Sequence, residues 1–229
     1  MRKGLTEIIF LLDRSGSMAG LESDTIGGYN SMLTKQKKGE GEVLVSTVLF
    51  DDIQKVLYDR VPLDKVPLMT EKEYYVRGCT ALLDAVGSSV HHIGNVYKYA
   101  REEDRPEKTI FIITTDGLEN SSQSYSYKKV KEMVERQKNS YGWEFIFLGA
   151  NIDAVAEAGR IGIAPQNSVR FECDKEGVSL NYDVLSETIC EIRANKCMPA
   201  GWKDRIEADY KKRGKRQSII KSIRQNLLS

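Results

Sequence analysis

The chain has 229 residues, with 34 Lys and Arg against 33 Asp and Glu and a net charge of +1, so bulk charge steers it toward neither nucleic acid nor an anionic membrane. A hydrophobic fraction of 41% with 29% charged residues is ordinary for a globular protein, and the length suits one α/β domain with additions and a sizeable core. The four cysteines, Cys79, Cys173, Cys190 and Cys197, stand singly, which argues against CxxC-type zinc and redox centres and reads as reduced thiols.

The first element is the apolar run Ile8 to Leu12. It is too short for a secretory leader or a bilayer span, so no membrane span and a cytoplasmic address are expected. An unbroken apolar run of this length fits a strand buried on both faces. It stops at Asp13, and Arg14, Ser15, Gly16 and Ser17 follow. Asp13, Ser15 and Ser17 alternate along an extended loop, so their oxygens can face one way, while Gly16 lets the backbone bend between them. That arrangement is an edge for a hard cation.

Leu21 to Lys38 reads as a helix, with Ile26, Tyr29, Met32 and Leu33 at helical spacing. Gly27 and Gly28 inside it lower helix propensity and are expected to allow close packing on the sheet. The β-branched segment EVLVSTVLF is a second strand, and IQKVLYDRV alternates in the manner of an antiparallel edge strand, with Asp51 and Asp52 as turn residues between them. Pro62 and Pro67 bracket a connector. Thr80 then opens a helix with an apolar stripe through Leu82, Leu83, Val86, Val90 and Ile93. TIFIITT is a fourth strand, closed by Asp116 and Gly117. A Ser-rich loop leads into a helix from about Tyr125 to Ser140, Trp143 to Leu148 is a fifth strand, a short helix surrounds Val155, and SVRFEC is a sixth strand.

Strands alternating with helices imply right-handed crossovers and a Rossmann-like, doubly wound α/β fold: a mostly parallel six-stranded sheet with one antiparallel edge strand and helices on both faces. In such sheets the ligand crevice lies at the carboxyl ends of the strands, where Asp13, Thr80 and Asp116 should meet. The expected division is a domain over 1–175 and a helical extension over 176–229. That extension opens with a stripe through Leu180, Val184, Leu185, Ile189 and Ile192 and ends in a basic tail. From Lys203 onward nine Lys and Arg face three acids, a net of +6.

DRSGS after a buried strand, Thr80 in a later loop and Asp116 after a later strand resemble, in that order, the metal-ion-dependent adhesion site (MIDAS) of von Willebrand factor A domains, in the small stand-alone bacterial and phage type. The resemblance covers about Thr6 to Cys173. It implies that Ser15, Ser17 and Thr80 coordinate a metal through hydroxyls while Asp13 and Asp116 act mainly through waters. Mg²⁺ suits such oxygen ligands, and Mn²⁺ fits as well. Two carboxylates balance a divalent ion and neutral hydroxyls leave it electrophilic, so a further anionic oxygen is favoured, in the family usually an Asp or Glu carboxylate of a partner protein. The implied function is that of a metal-dependent protein-binding adaptor inside the cell. Some relatives work in multiprotein assemblies, beside AAA+ ATPases among others.

Two other readings stand beside this one. A metal-dependent hydrolase or phosphotransferase would use the same crevice, but Ser15 stands where a haloacid-dehalogenase-like enzyme needs a second Asp, and no Walker A string, GxSxG elbow or HExxH occurs. No enzyme is expected. Alternatively, the tail over 203–229 contacts nucleic acid as a basic amphipathic helix; a solvated helix docked by its Ile side is the simpler reading. Arg14 and Met18 flank the metal loop as partner contacts or ordinary loop residues, the latter being the simpler reading for Met18; Cys79 precedes Thr80 near a helix start and reads first as a small loop residue, second as an activated thiol; His91 and His92 read as surface or packed residues; and the loop over 121–127 is a specificity rim or a solvated loop.

Overall fold

The apolar runs become the interior of one sheet. The computed structural model describes residues 1–150, 152–195 and 197–214. Its strands are β1 (Arg2–Asp13), β2 (Glu42–Phe50), β3 (Gln54–Pro62), β4 (Pro106–Thr115), β5 (Glu144–Ala150) and β6 (Ser168–Phe171), in the spatial order β3-β2-β1-β4-β5-β6. β3 alone runs antiparallel, paired to β2. β1 is paired at both edges, by β2 and β4, and every residue from Leu5 to Asp13 is buried, so a polar side chain along it needs a partner.

Alternation along β1 sorts the core into two layers. Ile8, Phe10 and Leu12 pack with Tyr29, Met32 and Leu33 of α1 (Glu22–Gln36) and with Leu185 and Ile189 of α5 (Lys175–Asn195). Ile9 and Leu11 pack with Val86 and Val90 of α2 (Leu82–Tyr99) and Val130 and Val134 of α3 (Tyr127–Tyr141); Ala154 and Ala158 of α4 (Ala154–Arg160) join the same layer. Each fully buried Leu, Ile or Phe contributes roughly 1.5–3 kcal/mol. Local signals set the helix ends. Ser126 caps α3 by accepting from Lys129 N, Gly142 ends it in the left-handed conformation at φ 65, and Asp153 caps α4 by accepting from Ala156 N.

Several boundaries differ from the sequence reading. β1 and β4 begin earlier because Arg2 pairs with Pro106 before the run of apolar residues starts. The helix expected to open at Thr80 begins at Leu82, leaving Thr80 on a loop. Gly28 serves a contact other than the sheet: a Cβ there would lie 2.1 Å from the Tyr182 ring of α5, whereas Gly27 faces open space.

α5 shares the core of the α1 layer, and its last turns are fixed to α1 by direct bonds. Buried Arg193 donates to Gln36 O and Gln36 Oε1 at 3.0 and 2.9 Å, and Gln36 Nε2 donates to Ser186 O at 2.9 Å. A further helix over 204–214, α6, continues the chain. Trp202 and Ile206 enter the α1 layer of the core, and Trp202 Nε1 donates to Gln166 O. Of the tail cations, Lys203 and Lys211 pair with Glu207, Arg205 with Glu187, and Arg213 with Asp174, Glu176 and Asp209. Lys215, Arg216, Lys221 and Arg224, and the Ile side of the tail, lie outside the described residues.

In the strand order the chain passes from β1 outward to β2 and β3, then returns to the other side of β1 as β4. The loops leaving β1 and β4 therefore diverge, opening a crevice at their carboxyl ends.

Candidate metal centre

Asp13 is the last residue of β1, and Asp116 directly follows β4. Beyond Asp13 the chain turns through the short 3-10 segment Gly16–Met18, whose Met18 plugs into the core at 2% exposure. This folds the loop back so that its oxygens meet. Ser15 N donates to Asp13 Oδ1 at 2.7 Å, the Ser15 and Ser17 hydroxyls lie 3.1 Å apart, and Ser17 Oγ donates to Asp116 Oδ1 at 2.5 Å. Thr80 enters from the loop before α2 and is clamped by Asn120, whose Oδ1 accepts from Thr80 N and whose N donates to Thr80 O. Gly117 sits against this group: a Cβ there would be 2.8 Å from Thr80 Oγ1 and 3.4 Å from Ser17 Oγ. All five residues singled out in the sequence thus occupy one crevice.

The support beneath them was less visible in sequence. Thr115 Oγ1 donates to the second oxygen of Asp13 at 2.6 Å, and Tyr74 OH donates to Asp13 O at 2.6 Å. Arg14, which flanks the metal loop in the sequence, is 2% exposed. Its Nε lies 2.7 Å from Asp51 Oδ2, and its guanidinium sits over the Tyr75 ring. Asp51, at 0% exposure, also faces Arg77 at 3.4 Å, accepts from Ile53 N, and through its main-chain O accepts from Ala81 N. One residue therefore braces both loops of the site, the first through Arg14 and the second beside Thr80. Gly16 N donates to Gly78 O and ties the two loops together directly. Gly78 adopts φ 66, and a Cβ there would collide with the Asp52 carboxylate at 2.0 Å, so only glycine fits this crossing.

The electrostatics are those of a site lacking positive charge. Burial pushes the Asp13 carboxyl up to about 6, against the lowering effect of its bonds from Thr115 and Ser15, and the neighbouring Asp116 adds to the rise. Burial raises Asp116 too, offset in part by hydrogen bonds from Ser17 and from the Cys173 thiol 3.8 Å away. Among the described residues no Lys, Arg or His pairs with either carboxylate. Two carboxylates and three hydroxyls clustered around a position kept open by Gly117 form an all-oxygen set, and this donor set fits a hard divalent cation. Among the described residues no group of three or more His, Cys, Asp or Glu side chains is placed to hold a metal, as expected for a centre whose remaining donors are hydroxyls.

The rim is ordered rather than loose. Glu119 accepts from Leu83 N at the start of α2 and from the backbone N–H groups of Ser121 and Ser122. Asp84 of α2 accepts from Gln123 N, Ser124 N and Tyr125 N. Two carboxylates, Glu119 of the loop itself and Asp84 of α2, thus set the shape of the loop over 119–125 and fix it to the first turn of α2. Cys79 is exposed and precedes that helix by three residues. His91 and His92 are exposed on α2, and His92 faces Asp59.

Neither a protein-family description nor a curated protein matches the chain. Solved structures do. Proximal thread matrix protein 1 from the mussel byssus, with a zinc-occupied MIDAS motif, is 16% identical over 82% of this chain and 46% of its own, with a TM-score of 0.57. The pilus adhesin SpaC from Lactobacillus rhamnosus GG is 12% identical over 83% of this chain and 31% of its own, with a TM-score of 0.63. The ArnB paralog VWA2 from Sulfolobus acidocaldarius is 15% identical over 81% of this chain and 45% of its own, with a TM-score of 0.50. The chain thus spans less than half the length of each. At these identities the likeness is one of fold, and the fold is von Willebrand factor A-like. Among the described residues no helix is long and apolar enough to cross a membrane.

Proposed function

We propose that the chain is a divalent-metal-dependent protein-binding module in which Asp13, Ser15, Ser17, Thr80 and Asp116 hold Mg²⁺ or Mn²⁺ and an Asp or Glu carboxylate of a partner protein completes the coordination. The observation that carries this reading is the pair of buried carboxylates ringed by hydroxyls and unmatched by any cation of the described chain. Bound there, a divalent ion supplies the missing charge and, held by neutral hydroxyls, keeps affinity for one more anionic oxygen. The finer role is an adaptor within an intracellular assembly.

We favour binding over turnover because the Ser15 and Ser17 hydroxyls bond to each other and Ser17 to Asp116, and no His or Lys base is in contact with Ser15, Ser17 or Thr80 among the described residues. The nucleic-acid reading is weaker for the described part of the tail, where Lys203, Arg205, Lys211 and Arg213 already face carboxylates of this chain. The deciding experiment captures partners from native extract on the full chain in Mg²⁺, in EDTA and with Asp13→Ala. A partner held only by the metal-loaded wild-type protein supports the proposal; equal retention in all three arms overturns it.

A further inference from the structure

Below the metal loop lies a second polar cluster that coordination of a cation does not use. Asn181 and Tyr182 of α5, Thr25 of α1 and Thr114 of β4 surround a cavity of about 10 Å³, closed by apolar side chains that include Met18 of the metal loop and Val178. All four polar residues are buried, the most exposed being Thr114 at 8%. Yet Asn181 Oδ1, Asn181 Nδ2, Tyr182 OH, Thr114 Oγ1 and Thr25 Oγ1 have no hydrogen-bond partner among the described residues.

Native interiors pair nearly all such groups, because an unpaired buried donor or acceptor loses its bond to water and gains nothing in return. Here the unpaired atoms belong to residues of three elements, α1, β4 and α5, that line one space and do not bond to one another. That space suits a single water, which needs two to four polar partners. No charged side chain lines it, so an ion would be stranded, and an organic molecule does not fit. We infer that the cavity is a built hydration site, holding one ordered water that bridges α5 to β4 and α1 through polar groups of Asn181, Tyr182, Thr114 and Thr25. α5 is then joined to the domain in two ways. Its last turns are held by direct bonds from Arg193 and Gln36, and its first turns, next to the metal loop, add the water to the Lys35–Asp183 pair and the packing of Tyr182 on Gly28.

The test turns on the sign of a substitution. Tyr182→Phe keeps the ring that packs against Gly28 and removes only the hydroxyl. If the hydroxyl is bonded to water, calorimetry of the full chain shows a melting temperature lowered by about 2–4 °C. If the cavity is dry, removing an unpaired hydroxyl leaves the melting temperature unchanged or raises it, and the proposal is overturned. Water-selective NMR supplies an arm that does not depend on stability. A cross-peak from a long-lived water to the Asn181 side-chain amide, lost in Tyr182→Phe or shifted by it, supports the site; the lack of any such peak in the wild-type protein overturns it.

Discussion

β1 carries two buried carboxylates, Glu7 midway along it and Asp13 at its carboxyl end, and the chain treats them differently. Glu7, at 0% exposure, receives both of its oxygens' bonds from Arg60 Nε at 2.9 and 3.1 Å and another from Tyr97 OH at 2.8 Å. Arg60 reaches it from a position at φ 52, at the point where the β2–β3 pairing shifts register, a rarely adopted backbone for a residue other than glycine. Burial still pushes Glu7 upward, but a counter-charge and a phenol complete its environment. Asp13, at 1% exposure, is met only by neutral donors from Ser15 and Thr115. A buried carboxylate whose counter-charge belongs to the chain finishes the fold. One without it leaves a deficit for something from outside to fill.

The comparison breaks most sharply at Arg60. Arg60→Ala strands Glu7 without its cation and should cost about 3 kcal/mol of stability in a denaturant titration; a loss no larger than that of a surface substitution would remove the contrast. Asp13→Asn should act in the opposite direction, leaving the metal-free protein at pH 7 as stable as wild type or more stable by as much as about 2 kcal/mol, while erasing any rise in melting temperature that Mn²⁺ gives the wild type. Acidity sharpens the same point. A carboxyl raised from 3.8 to about 6 on folding stabilises the metal-free fold fully below its unfolded value, and that contribution is lost as pH climbs through about 6. A cation binds only the ionised form, so thermal shift with Mn²⁺ should be large at pH 7 and small at pH 5. An equal shift at both would mean that Asp13 does not take part. The smallest effect on the metal site itself is expected at Asp51→Asn, which leaves buried Arg14 without its carboxylate: it should lower stability in the manner of Arg60→Ala and weaken Mn²⁺ binding by the still-folded protein about tenfold in calorimetric titration.

These contrasts also show where sequence reasoning reaches. Strands β1, β4 and β5 were legible because interior parallel strands must be apolar on both faces, and Asp13 and Asp116 stood out by ending such runs. Thr80 was legible only through the ordered motif, since a lone Thr in a loop carries no signal of its own. The braces were not legible. A cation beside a carboxylate, as in Asp13-Arg14, reads as a solvated turn, and its true partner Asp51 lies nearly 40 residues on, at the end of the neighbouring strand β2. Thr115 looked like one more β-branched strand residue until its hydroxyl was seen on Asp13. Gly28 announced close packing, but nothing local to α1 says that the neighbour is an aromatic ring on a helix about 150 residues later.

The loop over 119–125 is shaped through its own main chain: Glu119 and Asp84 bind the backbone N–H groups of Ser121, Ser122, Gln123, Ser124 and Tyr125. The side chains of Gln123 and Ser124 are exposed and take no part in that lacing. Their identity is free to change while the loop keeps its course, which makes the rim of the crevice a display frame. New surface chemistry can be written there, by evolution or by design, without redrawing the scaffold that carries it.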